Sequence, residues 1–256
     1  AARAQPACEA QQRVLSEVLA VVAVIVSTRP GMVDEAVMLA KEREAISVAL
    51  DDRYEMVQAL SLLAPLLGDR EAAEEAVRLA RIVANPTMLS YSLSILAMLL
   101  ATDDPVRAHD LAVEATQAAR EVGNAQAAAL AQQVSGAVVG SLGDHVSAAR
   151  MGLAAAEQLF DQGERFFAFS QLWGVASSLN ALGEQKDARV LGAWLVRHGA
   201  QTSGPSALPQ RTSVYLSDEI TAEEVDGLDP RVANLSEMEL VAHVRALVEG
   251  HGSATR

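Results

Sequence analysis

The residue types that most often carry chemistry occur in this chain, but their spacing matches no catalytic or metal-binding motif. The sequence has no His-Glu-x-x-His or Cys-x-x-Cys pair and no glycine-rich phosphate loop ending in Gly-Lys-Ser or Gly-Lys-Thr. No serine lies in a Gly-x-Ser-x-Gly turn. The histidines fall on separate predicted elements, at His109, His145, His198, His243 and His251. We therefore predict a non-enzymatic chain with no catalytic residue, no metal and no cofactor.

The chain is strongly acidic, which restricts the partners that it can bind. With 33 acidic and 20 basic residues its formal net charge is −13, and such a charge repels phosphate backbones. Clusters such as Glu71, Glu74 and Glu75 are interpreted as solvated helix faces, since nothing nearby indicates burial. The single cysteine, Cys8, is what a reducing compartment permits. We expect no direct binding of nucleic acid by this segment and a cytoplasmic location.

Glycine recurs at a fixed interval in the second half of the chain. Gly123, Gly143, Gly163 and Gly183 are spaced by 20 residues (143 − 123, 163 − 143, 183 − 163), and each precedes a polar residue. A glycine readily adopts the left-handed conformation that ends a helix, and the polar residue after it favours the start of the next helix. The intervening residues form roughly 25 Å of helix at about 1.5 Å per residue. Each of these glycines is therefore predicted to be a corner between two helices.

A second pattern indicates that the repeating unit is a pair of helices. Ala36, Ala73, Ala108, Ala148 and Ala188 each begin an apolar set at positions i, i+3 and i+4. Small side chains in this pattern let a partner helix approach closely. Bulkier helices alternate with these, over residues 54–67, 88–100, 125–142 and 166–182. The alternation predicts an all-α fold, an α-solenoid of antiparallel helix pairs with about 11–13 helices.

The two ends of the chain depart from this pattern. The apolar run at residues 18–26 is predicted to be a buried helix, with a strand as the alternative because the run is rich in β-branched residues. By itself it is too short to span a membrane, which needs about 20 apolar residues. After a loop-like segment at 201–210 and short helical stretches near 213–220, Ser236 and Glu239 have the spacing of a capping box at the start of a final helix.

Aromatic residues are concentrated at 166–173. Phe166, Phe169 and Trp173 follow helical spacing and are expected to share a face, whereas Phe167 should point away. One interpretation is that these rings fill the space beside the small-residue helices. The alternative is that some of them line a binding groove for a ligand or peptide. The groove residues predicted on this alternative are Tyr54, Gln58, Tyr91, Gln133, Phe169, Ser170 and Trp173.

Residues 182–199 carry a family resemblance, in the sequence Leu-Gly-Glu-Gln-Lys-Asp-Ala-Arg-Val-Leu-Gly-Ala-Trp-Leu-Val-Arg-His-Gly. This stretch resembles the last repeat in the tetratricopeptide-like (TPR-like) sensor regions of actinobacterial LuxR-type and STAND ATPase regulators. In those repeats Leu-Gly-Asp is followed by Ala-Ala-Arg-Leu-Leu-Gly-Ala-Ala and then by a loop and a final helix. The chain departs from the tetratricopeptide consensus, and its period exceeds the consensus length of about 34 residues. No ATPase core or helix-turn-helix accompanies the repeats in this sequence.

These observations predict three segments and one function. Residues 1–50 are expected to be N-terminal helices that form a junction or cap, 51–199 TPR-like repeats, and 200–256 an irregular loop with a C-terminal capping helix. The resemblance implies a regulatory sensor or interaction arm. Together with the repeats and the aromatic group, it predicts a module of a signalling or transcriptional regulator that binds a protein segment or a small effector in its groove, and we expect no membrane partner. The alternative is a structural spacer that forms homo-oligomers or is autoinhibitory.

Overall fold

The computed structural model describes residues 5–27, 31–199 and 220–254, with side chains from residue 8 to residue 250 within those ranges. These residues form an all-α helical-repeat solenoid without strands, which confirms the predicted fold class. The predicted loop at 201–210 and most of the stretch at 213–220 lie outside the described residues. Within those residues there are thirteen helices: α1 (Gln5–Ser27), α2 (Val33–Ala49), α3 (Arg53–Leu67), α4 (Arg70–Val83), α5 (Pro86–Leu100), α6 (Pro105–Val122), α7 (Ala125–Ser141), α8 (His145–Asp161), α9 (Arg165–Ala181), α10 (Gln185–Arg197), α11 (Ala222–Asp226), α12 (Pro230–Ala233) and α13 (Glu237–Ala254).

The first ten helices form two layers. Each helix packs against the next one along the chain, and each odd-numbered helix also contacts the next odd-numbered helix. Successive even-numbered helices lie farther apart. Because the odd-numbered helices are closer together, the stack curves with α1, α3, α5, α7 and α9 on its inner side. We call these five the inner helices and α2, α4, α6, α8 and α10 the outer helices.

The helix corners form as the glycine pattern predicts. Gly123, Gly143, Gly163 and Gly183 have φ angles of 63°, 90°, 77° and 89°, a region that side chains disfavour. Of the polar residues that follow these glycines, Asn124 and Asp144 cap the next helix through their side chains, whereas Glu164 and Glu184 form no such hydrogen bond. The side chain of Asn124, for example, accepts a hydrogen bond of 3.0 Å from the backbone N–H of Ala127. Pairs of helices therefore reverse direction at each of these positions.

The small residues of the outer helices are buried, as predicted. Ala36, Ala73, Ala108, Ala148 and Ala188 are at most 6% exposed. The apolar sets that they begin are not buried throughout, because Met151 on α8 is 38% exposed. The closest approach is at Gly152 on α8. A Cβ atom there would lie 2.7 Å from Cγ2 of Val175 and 3.3 Å from the carbonyl oxygen of Gln171, both on α9.

This close approach predicts that Gly152→Ala destabilises the fold. The β-branched Val175 has little rotamer freedom to move away, so overpacking should outweigh the helix propensity gained and cost a net of about 1–2 kcal/mol. Gly174, also within a helix, is the control because a Cβ atom there meets nothing within 4 Å. Gly174→Ala should stabilise by about 0.5–1 kcal/mol. Urea unfolding followed by circular dichroism measures both, and equal effects of the same sign would contradict the predicted contact.

Ion pairs fix the register of two outer helices. Arg107 donates a hydrogen bond to Glu74 and Arg81 donates to Glu114, both at 2.9 Å, and Arg70 pairs with Asp103. All three pairs are separated by 33 residues in sequence, and the sign alternates along α4. A shift of one helix along the other would place like charges together. Since the side chains are about half exposed, the pairs contribute more to register than to stability.

Helix α1 differs from its prediction. The apolar run at 18–26 is helical but not buried, because only Leu19, Ala23 and Val26 face the core, whereas Val18 and Val21 are 52% and 60% exposed. The helix also extends beyond the run. Over Cys8–Ser27 it is long and apolar enough, by length and composition, to cross a membrane. One side of it nevertheless packs on α2 and α3.

The C-terminal segment covers the end of the stack. Helices α11 and α12 pack on α10, and α13 returns to pack on α8, where Arg245 donates a 2.7 Å hydrogen bond to Glu157. Ser236 and Glu239 form the predicted capping box at the start of α13. Arg189 donates two hydrogen bonds to Glu224 and thereby lowers the pKa of this carboxyl to about 2. The side chains that complete the apolar cover are Ile220, Leu228, Val232, Leu235, Leu240, Val241, Val244 and Val248.

Candidate binding groove

The inner helices leave one narrow stripe of side chains uncovered. Each of α3, α5, α7 and α9 has outer helices behind it and at least one inner helix beside it, so its open side faces into the curve. The open residues recur at helical intervals of three, four or seven along each helix. Side by side, these stripes form the inner surface of the stack. Its open residues include Tyr54, Leu62, Thr87, Tyr91, Met98, Gln126, Gln133, Phe166, Ser170 and Ser177.

Four of the predicted groove residues lie on this surface. Tyr54 is 45% exposed in the first turn of α3, and Tyr91, Gln133 and Ser170 are half-buried on α5, α7 and α9. Burial raises the pKa of Tyr91, so its hydroxyl stays protonated and can donate a hydrogen bond at neutral pH. Each of the four inner helices α3, α5, α7 and α9 thus presents one uncharged group that can form hydrogen bonds.

Phe169 and Trp173 lie elsewhere. They are 8% and 7% exposed and belong to the core formed by α7 to α10 and α13. Phe169 packs edge-to-face against Trp194 of α10, with ring centroids 6.2 Å apart. Gly192, in the stretch that carries the family resemblance, leaves room beside Trp173, because a Cβ atom there would lie 3.3 Å from its ring. Phe169 and Trp173 therefore fill the space beside the small-residue helices and do not line the groove.

The neighbouring phenylalanines show why helical spacing misplaced this group. Phe167, expected to point away, packs against the core, whereas Phe166 is 47% exposed. Their rings touch edge-to-face at a centroid distance of 5.3 Å. Helix α9 has neighbours on three sides (α7, α8 and α10). It therefore buries more of its circumference than a helix with one buried face and one open face, which the sequence prediction assumed. Phe166 therefore joins Ser170 on the open stripe, one turn away, and the sequence prediction missed it.

Gln58 is engaged by a buried polar cluster. Its side-chain oxygen accepts a 2.6 Å hydrogen bond from Arg43 of α2, which also donates 3.1 Å to Glu55 and 3.3 Å to Ser16 of α1. Ser16 in turn donates to Glu55 at 2.6 Å. Arg43 is 4% exposed and Ser16 is fully buried. The sequence signal for this cluster is the position of Arg43, in register with the buried Ala36 and Ala40 where a small residue is expected.

Charge is distributed unequally between the two layers. The outer helix α4 alone carries six charged side chains, whereas α5 and α7 carry none and α9 carries only Arg165. Arg165 is paired with Glu237 and lies over the ring of Phe169 at 5.6 Å. Glu55 of α3 forms an ion pair with Arg43 of α2. The inner surface from α5 to α9 is therefore built of aromatic, amide, hydroxyl and small apolar groups.

Neither a metal-binding cluster in the described residues nor a match to a known family marks this chain. Within the described residues, no three His, Cys, Asp or Glu side chains lie close enough together to hold a metal ion. The sequence matches no protein-family profile and shows no significant similarity to a curated protein. The inner surface, with its open polar and aromatic side chains, is thus the candidate binding site of the chain.

Proposed function

We propose that this chain is a non-enzymatic interaction module whose inner surface binds an uncharged, extended segment of a partner protein. The observation that carries the proposal is the contrast between the layers. Helices α5, α7 and α9 present side chains that hydrogen-bond or stack without charge, while the outer layer carries the acidic and basic residues. A groove of this kind suits a peptide backbone flanked by apolar side chains.

Charged segments fit this groove poorly. A charge buried in the groove would lose its hydration without meeting a counter-ion on α5 or α7. The net charge of −13 additionally repels acidic segments before contact. Backbone amides of an uncharged segment would instead pair with Gln133, Ser170 and the hydroxyl of Tyr91, and Phe166 would offer a ring face.

The dimensions set the length of the segment. Helices packed side by side are about 8–10 Å apart, so the three steps from α3 to α9 span roughly 25–30 Å. An extended chain covers this distance with about eight or nine residues at about 3.3 Å each. The proposed ligand is therefore a short linear segment, crossing the inner helices rather than lying along one of them.

The resemblance of residues 182–199 to the sensor regions of LuxR-type and STAND ATPase regulators supports a regulatory context. We place the module in a signalling or transcriptional regulator, where binding of the segment is sensed by the repeats. The structural alternative, a spacer that forms homo-oligomers, is favoured by a different observation, the exposed apolar side chains of α1.

Selection of peptides tests the proposal. From a phage-displayed library of random 12-residue peptides, the chain should select sequences poor in Asp, Glu, Lys and Arg. Affinity of a selected peptide, measured by fluorescence anisotropy, should fall at least about tenfold in the variant Tyr91→Ala/Phe166→Ala, because two rings of the groove are lost. The helical circular dichroism should be unchanged, since both side chains are partly exposed.

Ile82→Ala is the matched control for this experiment. Ile82 is 49% exposed on the outer helix α4, close to the 47% of Phe166 on the inner helix α9. Its replacement should leave the affinity unchanged. Selection of mainly charged peptides, or equal loss of affinity in the control, would show that the inner surface is not the binding site.

A further inference from the structure

Helix α1 presents an aliphatic face that no described residue covers. Val14, Leu15, Val18, Val21 and Val22 are between 37% and 60% exposed. On a helix these positions occupy one continuous arc, because they recur at intervals of three, four and seven. Their combined exposed area is about 400 Å², as large as the largest apolar patch of a typical monomer. No charged residue lies on this arc between Val14 and Val22; Glu17 lies outside it by helical spacing.

The two ends of the solenoid differ in this respect. At the other end, α11, α12 and α13 fold back and cover α10 and α8 with apolar side chains such as Ile220 and Leu240. Terminal repeats of solenoids expose a hydrophobic face unless a cap covers it. The C-terminal end is closed by the chain itself, so it offers no matching surface for the α1 face of another copy. Among the described residues, contact between two α1 faces is therefore favoured over a head-to-tail contact.

The α1 face is also suited to contact with the same face of a second copy. Copies of a chain with a net charge of −13 repel each other over most of their surface, and this uncharged face is where they approach at the lowest electrostatic cost. A two-fold axis through the middle of the face would bring the two Val18 side chains together and pair Val14 with Val22 of the second copy. Such an isologous contact closes at two copies.

We propose that α1 is a dimerisation helix, and that two copies of this chain associate through the face formed by Val14, Leu15, Val18, Val21 and Val22. These side chains alone would bury roughly 800 Å² in total, which is below the size of stable interfaces, about 1,200 Å², and is typical of a weak, transient contact. The proposed dimer is therefore weak and reversible. It places the two inner surfaces in one assembly, with both C-terminal caps at its outer ends.

Sedimentation velocity of the whole chain over a concentration series from low to high micromolar tests this contact. The unaltered chain should shift from monomer to dimer. Val18→Glu should remain a monomer at every concentration, because two carboxylates would meet at the axis. Val113→Glu on α6 is the matched control, since Val113 is 53% exposed and Val18 is 52% exposed. The control should dimerise like the unaltered chain, and all three should have the same circular dichroism.

A disulfide at the axis gives an independent test of geometry. Cys8 is the only cysteine, so the background Cys8→Ser has no thiol. In that background, Val18→Cys should form a covalent dimer with oxidised glutathione, and Val113→Cys should not. Three results would overturn the proposal: a monomer throughout the series, a dimer that persists in Val18→Glu, or α1-dependent sedimentation of a monomeric chain with phosphatidylcholine vesicles, which would assign the face to lipid.

Discussion

Replacing Ala112 with arginine is expected to destabilise the central repeats severely. Ala112 is fully buried near the middle of α6, in a stripe with Ala108, Ala115 and Ala119 that is also fully buried. Ala108, Ala112 and Ala115 belong to the core shared by α3 to α7. An arginine there adds both a volume that the contact cannot hold and a charge without a partner. The expected cost is above about 4 kcal/mol, the range of the most damaging substitutions.

The adjacent Val113 is the control for this prediction. Val113 is 53% exposed, so Val113→Arg places the same side chain one residue away in solvent. Its stability should stay within about 0.5 kcal/mol of the unaltered chain. Thermal unfolding followed by circular dichroism should show a loss of about 10 °C or more for Ala112→Arg and almost none for Val113→Arg. Equal melting temperatures would mean that the small-residue stripe is not a packing surface.

The second large effect is expected at the buried ion pair. Arg43→Ala leaves the carboxylate of Glu55 buried with only the hydroxyl of Ser16 as a partner, and also removes the donor to Gln58. Removing one member of a buried pair costs about 3–5 kcal/mol, because the remaining charge is uncompensated. The loss should be confined to α1, α2 and α3, since these are the helices that the cluster joins. Hydrogen exchange should therefore accelerate there first.

Two further variants separate charge from packing at this site. The double replacement Arg43→Met/Glu55→Leu should recover most of the lost stability, because apolar side chains of similar volume often replace a buried pair without loss. Arg81→Ala removes an exposed ion pair to Glu114 and should cost less than about 1 kcal/mol. A double variant as unstable as Arg43→Ala would show that the cluster acts through specific hydrogen bonds and not through a buried charge.

Local signals in the sequence predict the repeating part of the fold well. Glycine at a corner and a capping residue after it act within a few residues, and the buried stripe of alanines follows from helical geometry alone. For this reason the corners at Gly123 and Gly143, and the capping box at Ser236, are found where the sequence places them.

Properties that depend on the number of neighbours around a helix are harder to predict. The burial of Phe167 and Trp173 reflects neighbours of α9 on three sides, and the exposure of Val18 reflects the lack of a described neighbour on one side of α1. In the Arg43 cluster, one hydrogen bond joins residues 39 positions apart, Ser16 and Glu55. The sequence therefore predicts the positions of some of these side chains and not of others. Tyr54, Tyr91, Gln133 and Ser170 lie on the inner surface, and Phe166 replaces the two core rings.

We propose that an uncharged protein segment binds across the inner helices. Hydrogen–deuterium exchange with a peptide selected from the library tests it most directly. We predict that backbone amides in α5, α7 and α9 exchange more slowly when the peptide is bound. In the outer helices α4 and α6 the exchange rates should be the same with and without the peptide. Protection confined to the outer helices or to α1, with the inner helices unchanged, would contradict the claim.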